Sequence, residues 1–72
     1  MAELPRCSGA EAIRAFERLG YRQVRQKGSH VFLKREGSNS ISVPLHRTLA
    51  KGTLRALIRD AEITVEEFVT LI

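Results

Sequence analysis

The chain has a single cysteine, Cys7, so no disulfide can form within it. A reducing compartment, and with it the cytoplasm, is the expectation. No apolar run approaches the ~20 residues that cross a bilayer, so no membrane contact is expected. The opening Met1-Ala2-Glu3-Leu4-Pro5 lacks the basic and apolar segments of a secretory signal. Histidine is scarce: His30 and His46 are the two present. Neither cysteine pairs nor clustered histidines and carboxylates point to a metal, and no cofactor is expected. Repeats, linkers and low-complexity stretches are absent, so residues 1–72 read as one domain. A domain of this size buries only about 60% of its unfolded surface, so its core is modest.

Acids are also missing where they would matter. From Arg18 to Arg35 the chain carries Arg18, Arg22, Arg25, Lys27, Lys34 and Arg35 with no acid. From Asp60 to Ile72 it carries Asp60, Glu62, Glu66 and Glu67 with no base. The net charge of +4 is thus concentrated in the first half. That half offers a cationic surface to a polyanion. A merely solvated charged face is the plainer alternative.

Ser8-Gly9-Ala10-Glu11 is a capping-box sequence, in which Ser8 and Glu11 satisfy each other's backbone N–H groups. Ala12, Ile13, Phe16 and Leu19 then recur at helical spacing, and Gly20 suits the position just past the end. The first helix is expected over Gly9 to Leu19. Tyr21 to Gln26 reads as a strand with Val24 as its main core residue. In His30 to Arg35, Val31 and Leu33 face one way while His30, Phe32 and Lys34 face the other. Ser40 to Val43 alternates again, with Ile41 and Val43 inward, and Pro44 ends the ladder. Leu45 to Lys51 is a connection. Gly52 to Ala61 is a second helix that buries Leu54, Leu57, Ile58 and Ala61. Thr64 and Glu67 form a second capping box, with Ile63 stapled to Phe68, and open a short final helix.

The order predicts an α+β fold, α-β-β-β-α plus a short C-terminal helix. A three-stranded antiparallel sheet would have two helices on one face. The other face would carry Arg25, His30, Phe32, Lys34 and Ser42. Phe32 interrupts its polarity. The ring fits a stacking platform for a base, a contact for a partner protein, or a side chain tucked under a loop. Parity allows two registers for the second hairpin, Leu33 opposite Ile41 or Leu33 opposite Val43. The second sets His30 opposite His46.

The stretch from Gln26 to Leu33 holds the chemistry. Gly28 provides a tight turn that presents Lys27 and His30 beside a strand. Lysine seeks phosphate and histidine titrates near neutral pH, a combination suited to a phosphodiester. An ordinary hairpin turn is the bland alternative. Lys51 and Arg55 stand near the start of the second helix, where free N–H groups already attract anions. Two exposed basic residues tolerated at small cost explain them equally well.

Four segments carry a resemblance: Arg25-Gln26-Lys27-Gly28-Ser29-His30, Val43-Pro44-Leu45-His46, Lys51-Gly52-Thr53-Leu54-Arg55-Ala56-Leu57-Ile58 and Thr64-Val65-Glu66-Glu67-Phe68. Together, in this order, they resemble the HicA (YcfA-like) toxins of bacterial HicA–HicB toxin–antitoxin systems. The resemblance implies a fold like the double-stranded-RNA-binding domain. It implies an mRNA interferase, an endoribonuclease that inhibits translation, and a HicB-type antitoxin that covers its active surface. It maps the family's functional histidine, which follows a Gly-Ser pair, onto His30.

Lys27 is then the expected electrostatic stabiliser and His46 a possible second catalytic group. Arg22, Arg25, Lys27, Ser29, Phe32, Lys34 and Lys51 are expected to contact RNA, and the free protein is expected to be a monomer. One departure stands out: the family's second helix often ends in Ala-Gly, where this chain has Ala61-Glu62. A non-catalytic RNA-binding module and a protein-interaction domain are the alternatives.

Overall fold

The computed structural model describes residues 3–72. Helix α1 spans Gly9–Arg18, strands β1, β2 and β3 span Arg22–Lys27, His30–Lys34 and Ile41–Pro44, and helices α2 and α3 span Lys51–Asp60 and Val65–Leu71. The three strands form one antiparallel sheet in the order β1-β2-β3. Helices α1 and α2 pack on the face that carries Val31, Leu33, Ile41 and Val43, all buried. Among the described residues no helix is long and apolar enough to cross a membrane.

Both capping boxes form. The Ser8 hydroxyl accepts from the Glu11 N–H at 3.1 Å, and the Glu11 carboxylate accepts from the Ser8 N–H at 2.8 Å. Thr64 and Glu67 repeat the arrangement at the start of α3. There Phe68 is fully buried with its ring 5.3 Å from that of Phe16. The Arg18 guanidinium donates to the Leu71 carbonyl and ties α3 to α1.

The first two helices end in the same way. Past α1, the Gly20 N–H donates to the Glu17 carbonyl and the Tyr21 N–H to the Phe16 carbonyl, each at 3.0 Å. Past α2, the Glu62 N–H donates to the Arg59 carbonyl at 3.0 Å and the Ile63 N–H to the Ile58 carbonyl at 3.3 Å. This closure needs a left-handed residue. Gly20 supplies it freely at φ 110°, whereas Glu62 is forced to φ 61°. A side chain there costs about 1–2 kcal/mol, partly offset by the lower unfolded-state entropy of a non-glycine residue. Glu62→Gly is therefore expected to stabilise the protein by about 0.5–1 kcal/mol. Thermal unfolding checks it, and the midpoint rises by a few degrees.

One expected core residue is not there. Val24 is 50% exposed, and Tyr21 at the strand's entry is buried instead. The pairing steps from Gln23 opposite Leu33 to Arg25 opposite Phe32, leaving Val24 as an unpaired bulge on an edge strand. The extra residue breaks the alternation that would have turned it inward.

Burial raises the Cys7 thiol above its usual value, with Glu11 adding to the effect. Burial also raises Tyr21, partly countered by the Arg35 charge. Both groups hold their protons to higher pH when folded than when unfolded. Their contribution is complete below the usual thiol value of 9.0 and is lost as pH rises through the folded values. Denaturant melts at about pH 8 and about pH 10.5 are expected to show lower stability at the higher pH.

Candidate active site

The β1–β2 hairpin closes on Lys27 and His30, which are cross-strand partners. Its two-residue loop is Gly28-Ser29. Gly28 has φ 59° and Ser29 does not share the positive angle, the pattern of a type II′ turn. Partners in a ladder project from the same face with Cβ atoms about 4.5–5.5 Å apart. The turn thus delivers a cation and an imidazole side by side. Both residues are exposed.

The turn is anchored from behind. The Leu45 N–H donates to the Ser29 carbonyl at 2.7 Å, and the Gly9 N–H donates to the His46 carbonyl at 2.9 Å. Ser29, Pro44 to His46 and the first turn of α1 are therefore joined by backbone bonds. A rigid seat of this kind holds a reactive side chain without spending binding energy on ordering it.

Register places Arg22, Arg25 and Lys27 of β1 on the same outer face as His30, Phe32 and Lys34 of β2 and Ser42 of β3. Among the described residues the only ion pair joins Arg59 to Asp60, at 3.8 Å. The cations of the outer face thus make no direct ion pair among the described residues, and Glu36 is the acid that shares a hollow with Arg22 and Lys34. The Arg25 guanidinium lies 4.9 Å from the centre of the half-buried Phe32 ring. Of the expected contacts, Arg22, Arg25, Lys27, Phe32 and Lys34 share this face with His30, and Ser29 stands in the turn beside it. Lys51 does not share it. It is exposed at the start of α2, in the helical layer, where Ala50 provides no side-chain cap.

His46 is not brought opposite His30. The register is Leu33 opposite Ile41, so Pro44 faces His30. His46 lies exposed beyond the ladder and contributes its carbonyl to the anchor on Gly9. Among the described residues no group of three histidine, cysteine or acidic side chains gathers to hold a metal ion.

Arg35, grouped by sequence with the cationic stretch, has a different task. Its Nε donates to the Ser38 hydroxyl at 2.9 Å, Nη1 to the Leu19 carbonyl and Nη2 to the Ala61 carbonyl, both at 3.2 Å. Its guanidinium also sits 4.9 Å from the Tyr21 ring centre. One cation therefore closes the C-terminal ends of α1 and α2, where the helix dipoles favour positive charge. Arg35→Ala is expected to cost about 2–3 kcal/mol, since charged hydrogen bonds to partly buried carbonyls are lost. Lys34→Ala, next to it on the open face, should leave stability within about 0.5 kcal/mol. Paired thermal melts of the two variants check this. Similar midpoints for the two proteins would contradict it.

Fold and site together define a small α+β domain whose single open sheet face is basic and carries one histidine at a tight turn. The chain belongs to the HicA toxin family of bacterial toxin–antitoxin systems, whose pattern it matches over residues 9–63. The match runs from the first residue of α1 through the sheet and α2. No curated protein matches the chain at a significant level.

Proposed function

We propose that this toxin is a metal-independent endoribonuclease, an mRNA interferase that acts in the cytoplasm and inhibits translation. The observation that carries the reading is the placement of His30 beside Lys27 on a cationic face whose described basic residues make no ion pair. RNA brings its own nucleophile. His30 accepts the proton of a ribose 2′-OH as that oxygen attacks the adjacent phosphorus. The Lys27 ammonium offsets the charge that builds on the phosphorane oxygens. The bond to the 5′-oxygen breaks, that oxygen takes a proton from the imidazolium or water, and a 2′,3′-cyclic phosphate remains. Arg22, Arg25 and Lys34 hold the flanking phosphates, giving affinity without sequence choice. Ser29 lies within the same turn and Phe32 offers its ring to a base. Lys51 would serve RNA that reaches round to the helical layer.

With one histidine on the face, the rate is modest. General acid–base catalysis is worth about 10²–10⁴-fold per group. The same count favours a second reading, a non-catalytic RNA-binding module, since His46 supplies no partner across the ladder. The free toxin acts as a monomer until a HicB-type antitoxin covers the outer face. Expression in bacterial cells tests the proposal. Growth stops, mRNA fragments accumulate, and co-expressed antitoxin restores both. Growth arrest with intact mRNA would move the account to the second reading.

A further inference from the structure

We propose that the outer face holds a nucleobase subsite beside His30, formed by Val24, Arg25, Phe32 and Ser40. The inference rests on the ribonuclease reading and names what that site selects. A hollow of about 340 Å³ opens here, lined by Val24, Arg25, Phe32, Leu33 and Ser40. That volume lies within the range of small-ligand pockets. Its apolar walls are Phe32 and Val24, and Val24 is half exposed because the bulge lifts it out of the ladder. Bulges recur next to active sites, where they re-aim a side chain. Here the re-aimed side chain extends the apolar wall started by Phe32.

The spacing fits a nucleotide. Phe32 is two residues from His30 on the same face of β2, about 7 Å along the strand. A base in the hollow therefore belongs to a nucleotide at or next to the scissile phosphate. Its ring stacks on Phe32 in place of the Arg25 guanidinium, which lies 4.9 Å from the ring centre and swings aside to a phosphate or the base edge, and the Ser40 hydroxyl can donate or accept at the base edge. The rim decides the occupant. Arg25 is the one charged residue lining the hollow, and Arg22, Lys27 and Lys34 share its face of the sheet with no acid paired to them among the described residues, which matches a polyanion bearing flat apolar groups. A base in a duplex is stacked and paired on both sides, so the subsite takes single-stranded RNA.

The test uses a single-stranded 2′-O-methyl RNA oligomer, which cannot be cut, with one abasic residue moved along it. Wild type and Phe32→Leu are titrated against the series, after melts confirm that both fold, and Val24→Ser serves as a second variant. Stacking on an aromatic ring is worth about 5- to 150-fold in affinity per base. Wild type is expected to lose affinity by that order at one abasic position and little elsewhere. Phe32→Leu is expected to bind the intact oligomer more weakly and to lose the positional drop.

A flat abasic profile for wild type overturns the subsite, even if unmodified RNA is cut. A Phe32→Leu profile identical to wild type overturns it too. Loss of antitoxin affinity with unchanged RNA profiles assigns the hollow to a protein contact instead. A positional drop without cleavage of unmodified RNA upholds the subsite and removes the nuclease reading.

Discussion

The His30→Ala protein is expected to fold, bind RNA and leave it uncut. His30 is exposed at the start of β2, and among the described residues no hydrogen bond ties its side chain to the core. Surface substitutions away from special features usually stay within about 0.5 kcal/mol, so the melting curve should match that of wild type. Cationic contacts along β1 and β2 are untouched, so affinity at low salt should be nearly unchanged. Cleavage should fall by about 10²–10⁴-fold, the contribution of one positioned acid–base group. Growth arrest should disappear with it. Lys27→Ala should lower cleavage less, because a neighbouring cation remains at Arg25 and the base is still present. Gel-resolved cleavage and anisotropy-based binding, run on the same preparations, separate the two effects. Full cleavage by a folded His30→Ala protein would place the chemistry elsewhere.

Gly9→Ala is expected to lower stability by about 3 kcal/mol, while the same change at Gly52 raises it. Gly9 is buried at the first turn of α1. A Cβ there would sit 2.0 Å from the Pro44 carbonyl oxygen and 3.0 Å from the Leu45 Cα. These are backbone atoms, so no side chain can swing aside. The helix must lift off the end of β3 and stretch the bond from the Gly9 N–H to the His46 carbonyl. Over-packing costs about 1–3 kcal/mol and sometimes more. A domain of this length has about 4–11 kcal/mol in total. The melting midpoint should drop by more than about 10 °C. Gly52, in the first turn of α2, has nothing within 4 Å of its Cβ position. There alanine removes unfolded-state entropy at no steric cost, a gain of about 0.5–1 kcal/mol. The opposite signs separate contact from propensity, because both glycines open helices. Equal shifts at the two positions would contradict the close approach at Pro44.

Local rules explain why much of this fold can be read from the residues. Ser8 with Glu11 and Thr64 with Glu67 name their helix starts, because a capping box is complete within four residues. Ile41 and Val43 alternate with serines and report their face directly. Val24 could not be read in this way, since a bulge shifts the face of a residue without leaving a mark in the local pattern. The second hairpin's register was open for a related reason: both candidates keep the same parity. The register adopted, Leu33 opposite Ile41, goes with a tight turn in which the Ser38 N–H donates to the Arg35 carbonyl at 3.1 Å.

For the candidate site, the neighbours Lys27 and His30 follow from a short loop around Gly28. That Pro44 rather than His46 faces His30 follows from the register, which parity alone leaves open. Arg35 looked like its basic neighbours because its partners, Leu19 and Ala61, are far from it in sequence. Glu62 shows the converse. The chain lacks a glycine at the end of α2, and the backbone adopts the left-handed closure regardless.

The central claim is that RNA supplies the nucleophile and His30 takes its proton. An RNA oligomer with a single 2′-deoxy residue at the mapped cleavage position, incubated with wild type in excess EDTA, tests it most directly. The account predicts that the unmodified oligomer is cut to a 2′,3′-cyclic phosphate and a 5′-hydroxyl, and that the 2′-deoxy residue blocks that cut. Cleavage at the 2′-deoxy position, or a 5′-phosphate on the product, would contradict it.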